Sequence, residues 1–82
     1  MITVSVKLFA MARDVTGVGE MTLSLEEGSD ASRVIDHFLR IHPRLAQWKN
    51  HLRLAVNSEY VDFDCRLRDG DEVAIIPPVS GG

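Results

Sequence analysis

The sequence of 82 residues has a single cysteine, Cys65, and no long apolar run. One thiol cannot form an internal disulfide, which argues against a disulfide-rich secreted scaffold and favours a reducing compartment. No stretch approaches the roughly 20 apolar residues of a membrane-spanning helix. The N-terminal residues alternate apolar with polar, which is unlike the core of a signal peptide. We therefore expect a cytoplasmic protein without a membrane segment.

An excess of positive charge is also missing. Nine Lys and Arg residues stand against 12 Asp and Glu residues, for a formal charge of −3. This balance argues against general binding to nucleic acids or anionic membranes. The hydrophobic fraction of 45% and the charged fraction of 26% are typical of a globular protein. A chain of this length can form one small domain with a modest core.

Motifs that hold cofactors or metals are absent as well. The sequence has neither a P-loop nor a dinucleotide-binding glycine motif, so we do not expect it to bind ATP by itself. His37 and His42 are five residues apart, which does not place two ligands on one helix face. These residues and His51 are expected to pack at the surface or at helix ends. Cys65 has no CxxC partner and is expected to be a half-buried structural thiol.

Alternation of apolar and polar residues predicts the strands. Residues 2–9 form the first strand, with Ile2, Val4, Val6 and Leu8 on one side, and residues 20–25 the second. Residues 52–57 form the third strand, 60–61 a short returning strand and 72–76 the last. Residues 10–19 are expected to be a loop in a wide hairpin between the first two strands.

Helical spacing of apolar residues begins after residue 30. Ser29 or Asp30 is the expected N-cap, because either side chain can accept from free N–H groups of the first turn. Pro43 is expected to end the helix near His42. Residues 44–51 suggest a second short helical turn. The predicted core face of the main helix comprises Ala31, Val34, Ile35, Phe38, Leu39 and Ile41, and Leu45 and Trp48 are expected to fold back onto the core.

The predicted element order is β-β-α-β-β-β, an α+β arrangement. One helix is long enough to cover one face of a mixed sheet. This suggests the ubiquitin-like β-grasp architecture, with the first and last strands central and parallel. The pattern by itself leaves β-grasp as one candidate among α+β folds.

The most unusual stretch is the C-terminal segment Pro77-Pro78-Val79-Ser80-Gly81-Gly82. Proline has no N–H for a sheet ladder and fixes φ, so the chain is expected to leave the sheet as a stiff strut. Gly81 and Gly82 have no Cβ and can enter a narrow channel. We therefore predict a β-grasp domain over residues 1–76 and an extended flexible tail over 77–82. Such a tail suits delivery of a terminal carboxylate into another protein's active site.

Several residues near this tail suggest a protein interface. Phe9, Phe63 and Ile76 fall on the outward phase of their segments, and an apolar patch on so small a domain would mark an interface. The alternative is that Phe9 and Ile76 cover a second small core. Arg13 is predicted to face a partner or to order its loop, with a solvated loop charge as the alternative.

Three segments resemble the small subunit of molybdopterin synthase, the sulfur carrier of molybdenum-cofactor biosynthesis. They are FAMARDVTG at 9–17, LAVNSEYV at 54–61 and LRDGDEVAIIPPVSGG at 67–82. The last segment is the specific one, because a Gly-Gly end alone is common to ubiquitin-like carriers. The chain departs from the pattern at Ile75-Ile76, where many members of that family carry an aromatic residue.

The resemblance implies that Gly82 is the covalent sulfur carrier. An ATP-using activating enzyme, similar to the ubiquitin-activating type, would adenylate Gly82, and a sulfur donor protein would convert it to a thiocarboxylate. The large synthase subunit would receive the tail and pass sulfur to cyclic pyranopterin monophosphate, within a heterotetramer of two small and two large subunits. The chain would be a sulfur-donating subunit and not an enzyme alone. The implied partner-binding residues are Gly81, Ser80, Val79, Pro78, Pro77, Ile76, Phe9 and Arg13.

Three alternatives remain open on sequence. The thiamine-pathway sulfur carrier shares the fold and the Gly-Gly end, but relatives in that branch usually lack the double proline of Pro77-Pro78. A ubiquitin-like protein modifier would form an isopeptide bond through Gly82. A plain interaction domain would have an inert tail.

Overall fold

The computed structural model describes residues 1–77. No helix in this part of the chain is long and apolar enough to cross a membrane. The elements follow in the order β1 (Ile2–Leu8), α1 (Ala10–Thr16), β2 (Glu20–Leu25), α2 (Ser32–Ile41), a 3-10 helix (Pro43–His51), β3 (Arg53–Val56), β4 (Glu59–Val61) and β5 (Glu72–Ile76).

The five strands form one mixed sheet in the order β2-β1-β5-β3-β4. β1 and β5 are parallel, whereas β1–β2, β3–β5 and β3–β4 are antiparallel. The prediction that the first and last strands are central and parallel is therefore confirmed. Parallel strands cannot be joined by a tight turn. The connection between β1 and β5 contains all the other helices and strands.

The core lies between one face of the sheet and α2. Alternate residues of β1 and β5 point toward the helix, and Val34, Ile35 and Phe38 of α2 are at most 1% exposed. Burial of a side chain such as Phe38 stabilises the fold by about 1.5–3 kcal/mol. Ile41 was predicted on this buried arc, but it is 53% exposed. It is the last residue of α2 and therefore lies beyond the packed part of the helix.

The predicted loop at residues 10–19 is wrong for most of its length, because α1 occupies Ala10–Thr16. Its first turn is rich in alanine, which has the highest helix propensity. Gly17 ends the helix in the left-handed region with φ of 73° and donates its N–H to the Arg13 carbonyl at 2.7 Å. The Thr16 hydroxyl also donates to the Ala12 carbonyl at 2.8 Å. Gly17 and Gly19 suggested a loop over the whole segment, but only residues 17–19, between α1 and β2, form one.

The start of α2 differs slightly from the prediction. Ala31 occupies the N-cap position and has no capping side chain. Asp30 is one residue earlier, yet its carboxylate accepts the Ser32 N–H at 3.1 Å and also the Ser32 hydroxyl. Asp30 thus satisfies a helical donor as predicted, although the helix begins later. At its other end α2 stops at Ile41, in agreement with the stop signal from Pro43.

The predicted turn after α2 is a 3-10 helix over Pro43–His51. Leu45 is fully buried and Trp48 packs against the core, so both were assigned correctly. The 3-10 helix thereby extends the core beyond α2.

The β3–β4 hairpin is joined by Asn57 and Ser58, with φ of 52° and 73°. Positive φ at both positions is the signature of a type I′ turn, which matches the twist of the strands. The Asn57 amide donates to the Asp71 carboxylate at 3.0 Å and accepts the Glu72 N–H at 3.0 Å. Asn57 therefore fastens the hairpin to the beginning of β5.

Replacing this side chain should loosen the connection. We expect Asn57→Ala to lower the free energy of unfolding by about 1–2 kcal/mol, because two hydrogen bonds are lost and because alanine is unfavourable at a φ of 52°. Urea denaturation measures the effect. Asn50→Ala is the matched control, since Asn50 is exposed in the 3-10 helix and takes no part in this contact. Equal stabilities of the two variants would contradict the assigned role.

His37 lies on α2, with its ring edge-on to that of Phe38 at a centroid distance of 5.3 Å. Burial lowers the pKa of His37 below its ordinary value of 6.5, and repulsion from Arg40 and His42 lowers it further. The native state therefore binds this proton less readily than the unfolded state does.

The lowered pKa makes stability depend on pH. The free energy of unfolding should fall as the pH drops from 6.5 through the native pKa of His37, because the unfolded chain takes up the proton first. Thermal unfolding between pH 7.5 and pH 5, roughly, covers this window. His37→Gln should flatten the profile, whereas His51→Gln, at an exposed position, should not. If His37→Gln left the dependence of stability on pH unchanged, protonation of His37 would be excluded as its cause.

Candidate functional site

The candidate site lies where β5 leaves the sheet. β5 ends at Ile76, which is half-buried, and the next residue, Pro77, is buried. This end agrees with the predicted last strand at 72–76, whereas the division into a domain over 1–76 and a tail over 77–82 stays a prediction. The predicted roles of Pro78, Val79, Ser80, Gly81 and Gly82 lie outside the described residues, so the extended tail stays a prediction.

Phe9 lies beside this exit point. In the parallel pairing of β1 with β5, Leu8 is opposite Ile75, so the following residues, Phe9 and Ile76, are neighbours. Phe9 is 47% exposed. Ala10 then turns the chain into α1 with φ of 47°, a left-handed conformation that is unfavourable for alanine. Two predicted site residues are thus brought together by the sheet register.

The face of the sheet opposite α2 continues this apolar surface. Arg53 is opposite Ile76, and Tyr60 is opposite Ala55 across β3 and β4. Tyr60 is 67% exposed. Arg53, Tyr60, Ile76 and Pro77 also line one groove. We call Phe9, Arg53, Tyr60, Ile76 and Pro77 the root patch.

Arg53 and Tyr60 were missed as candidates in the sequence. The alternation of apolar and polar residues did indicate that they face outward. Tyr60 precedes the inward-facing Val61, and Arg53 precedes the inward-facing Leu54. The pairing of β3 with β5, which the sequence does not reveal, is what places them beside Ile76.

On this face the two ends of β5 differ in polarity. Lys7 Nζ lies 3.3 Å from a carboxylate oxygen of Glu72, at the beginning of β5. Both side chains are well exposed, so this ion pair contributes at most about 1 kcal/mol. At the far end of β5 the surface is aromatic and aliphatic, with the guanidinium of Arg53 beside it. A mainly apolar patch with one cation is suited to binding another protein.

Arg13 is exposed on α1, and its side chain lies against Gly19. A Cβ at Gly19 would be 3.4 Å from Arg13 Nε. This contact joins α1 to the residue before β2, which favours the loop-ordering role among the roles predicted for Arg13.

The described residues offer no metal centre. Within residues 1–77, no group of three or more His, Cys, Asp or Glu side chains could hold a metal ion. Cys65 is half-buried, with its sulfur 3.8 Å from the Arg66 carbonyl. Phe63, predicted to face outward, packs in part against the core.

The profile of the ThiS family matches residues 6–82. The chain belongs to this family. It is 38% identical to the molybdopterin synthase sulfur carrier subunit of Arabidopsis thaliana, covering 99% of this chain and 84% of that protein. It is 41% identical to the protein of the same name from Chlamydomonas reinhardtii, covering 96% and 98%. The resemblance found in the sequence is thereby confirmed.

Several solved structures share the fold of this ThiS family member. Subunit 1 of a protein assigned as molybdopterin converting factor from Pyrococcus furiosus superposes with a TM-score of 0.85 at 32% identity, covering 96% of this chain and all of that one. Small archaeal modifier protein 1 from Methanosarcina acetivorans gives 0.81 at 28% identity, covering 100% and 98%. A chain of the BexX/CysO complex from Amycolatopsis orientalis gives 0.69 at 27% identity, covering 96% and 99%. The last neighbour was solved together with a partner protein.

Proposed function

We propose that this chain is the sulfur carrier subunit of molybdopterin synthase. The observation that carries the proposal is the identity of 38–41% with carrier subunits of that name over at least 96% of the chain. The specific C-terminal segment and the root patch are consistent with it. The proposed role is that of a subunit carrying a covalent reagent, without catalysis of its own.

Activation begins at the Gly82 carboxylate, which is a poor electrophile because its leaving group would be oxide. The carboxylate oxygen attacks the α-phosphorus of ATP on a separate, ubiquitin-activating-like enzyme, and pyrophosphate leaves. A sulfide-level sulfur (HS⁻) supplied by a donor protein then attacks the acyl-adenylate carbon, displaces AMP and loses its proton. The product is a thiocarboxylate, whose charged sulfur is a good nucleophile. ATP is thus a substrate of the activating enzyme, and the carrier itself binds no cofactor.

Delivery depends on how the domain presents its tail. β5 is held between β1 and β3, so the root at Ile76 and Pro77 has a fixed direction. The root patch docks on the large subunit, and the slim Gly81-Gly82 end enters the active site. There the sulfur attacks a carbon of the pterin precursor, cyclic pyranopterin monophosphate, and displaces an oxygen substituent. Water then cleaves the acyl–sulfur bond and restores the Gly82 carboxylate, and two such deliveries complete the dithiolene. The large subunit supplies positioning and acid–base groups.

The proposed assembly is a heterotetramer of two small and two large subunits in the cytoplasm. A neighbour solved with its partner protein supports a binding role for this fold. Phe9, Arg53, Tyr60 and Ile76 are the proposed contacts from the described residues. Arg13 supports this surface by ordering the segment before β2.

A protein modifier is the second candidate function. The likeness to small archaeal modifier protein 1 at 28% identity favours it. In that role Gly82 would be joined to a lysine side chain by an isopeptide bond. The thiamine-pathway carrier ranks below both, because the Pro77-Pro78-Val79-Ser80 run is unusual in that branch. A thiocarboxylate with sulfur transfer to the pterin precursor distinguishes the first candidate from the others.

Gly82→Ala tests the tail mechanism. The added Cβ would crowd the attacked carbonyl and the channel, so we expect sulfur transfer to fall by about 100-fold, the cost typical of a misplaced reacting group. The assay is molybdopterin formation from cyclic pyranopterin monophosphate with purified activating enzyme, sulfur donor and large subunit. An unchanged melting temperature serves as the folding control. Transfer at the wild-type rate would exclude the mechanism.

Ile76→Asp tests the docking surface. A carboxylate in the centre of the root patch would be desolvated on binding, so affinity for the large subunit should fall by at least about tenfold. Ile41→Asp is the matched control, because Ile41 is 53% exposed at the end of α2. Titration calorimetry with the large subunit measures both variants. Equal affinities would remove the root patch from the interface.

A further inference from the structure

β2 is a long and regular edge strand. It lies at the end of the sheet, and all six of its residues, Glu20–Leu25, pair with β1 in unbroken register. Exposed edges are usually protected by proline, by a bulge or by short length, since they can pair with other chains. β2 contains no proline and no bulge. The opposite edge strand, β4, has only three residues.

The hydrogen-bond pattern between β1 and β2 shows which backbone groups of β2 are free to pair with another strand. Leu8 donates its N–H to the Gly19 carbonyl at 3.0 Å. In antiparallel pairing the bonded residues alternate, so Met21, Leu23 and Leu25 direct their backbone groups to β1. The remaining residues, Glu20, Thr22 and Ser24, direct one N–H and one C=O each toward the open edge. These groups can bind an added strand.

A groove runs along this edge on the side of α2. One depression lies between β2 and the α2 residues Arg33, Asp36, His37 and Arg40, and a second continues past Met1, Glu26 and Ser29. Both are lined by Ser24, Leu25 and Arg33, so the two depressions adjoin beside β2, and together we call them the edge groove. Leu25 is half-buried and supplies an apolar floor.

Arg33 and Arg40 give the α2 wall of the edge groove a positive character. Across residues 1–77, the ion pair at salt-bridge distance is that of Lys7 with Glu72, so neither arginine has a carboxylate partner in that part of the chain. Asp36 on the same wall and Glu26 in the second depression are the carboxylates of the groove, and neither lies within salt-bridge distance of Arg33 or Arg40. The positive charge of Arg40 also contributes to the lowered pKa of His37. An anionic ligand would therefore find two unpaired guanidinium groups.

We propose that the edge groove binds an extended, acidic segment of a partner protein, which adds to the sheet as a strand beside β2. Its backbone bonds to Thr22 and Ser24, its inward apolar side chains cover Leu25, and its carboxylates lie near Arg33 and Arg40. This is the strand-addition mode of peptide recognition. The site lies on the α2 side of the sheet, whereas the root patch lies on the opposite face. The proposal is therefore independent of the sulfur-carrier function.

A synthetic peptide tests this site on the full chain. The probe is Asp-Asp-Val-Thr-Val-Thr-Asp-Asp with blocked ends, titrated into 15N-labelled protein at low salt. We expect a dissociation constant below about 1 mM, with the largest amide shifts at Thr22, Ser24 and the α2 wall. A peptide with lysine in place of aspartate, and one methylated at the central amide nitrogens, should each bind at least about tenfold more weakly.

Charge reversal in the protein separates this site from general attraction. The double variant R33E/R40E should bind the acidic probe at least about tenfold more weakly. R44E/K49E is the control, because it changes the net charge equally in the exposed part of the 3-10 helix and should bind as the wild type does. Equal loss in both variants, or shifts confined to the root patch, would overturn the proposal. So would self-association of the free protein through β2, seen as slower diffusion at higher concentration.

Discussion

The parallel pairing of β1 with β5 is the contact on which the rest of the structure depends. It joins the two ends of the chain at the centre of the sheet and fixes Leu8 opposite Ile75. A slip of one residue would turn the apolar side of β5 away from α2. The same register sets the position of Phe9 beside Ile76. Core packing and the geometry of the tail root are therefore consequences of one pairing.

The segment before β5 reinforces that register through polar contacts. Asp71 accepts the Arg68 N–H at 2.8 Å and the Asn57 amide at 3.0 Å, and its own carbonyl accepts the Ser5 N–H at 3.0 Å. Asp69 accepts the Thr3 N–H at 2.7 Å. These bonds tie the beginning of β5 to β1 and to the β3–β4 hairpin. A tail that must carry a reactive group into another protein is positioned more precisely when the strand from which it extends is held by several contacts.

The strands and the main helix were predictable because their apolar periods are strong. Alternation in β1 and helical spacing in α2 each bury a whole face, so local pattern and tertiary packing agree. α1 was missed because it has only seven residues and is followed by glycines. Ile41 was misplaced because periodicity does not show where a packed face ends. Tyr60 and the edge groove depend on strand order, which no local pattern encodes. The prolines and glycines of residues 77–82, rather than any periodicity, pointed to the tail.

The mass of the carrier after incubation with its activating enzyme, ATP and sulfur donor tests the central claim most directly. Intact-mass analysis, with fragmentation to locate the change, reads out the state of Gly82. The sulfur-carrier account predicts replacement of one oxygen by sulfur at the Gly82 carboxyl group. A Gly82 that is joined to lysine of another protein, with no thiocarboxylate on the route to sulfur transfer, would contradict it.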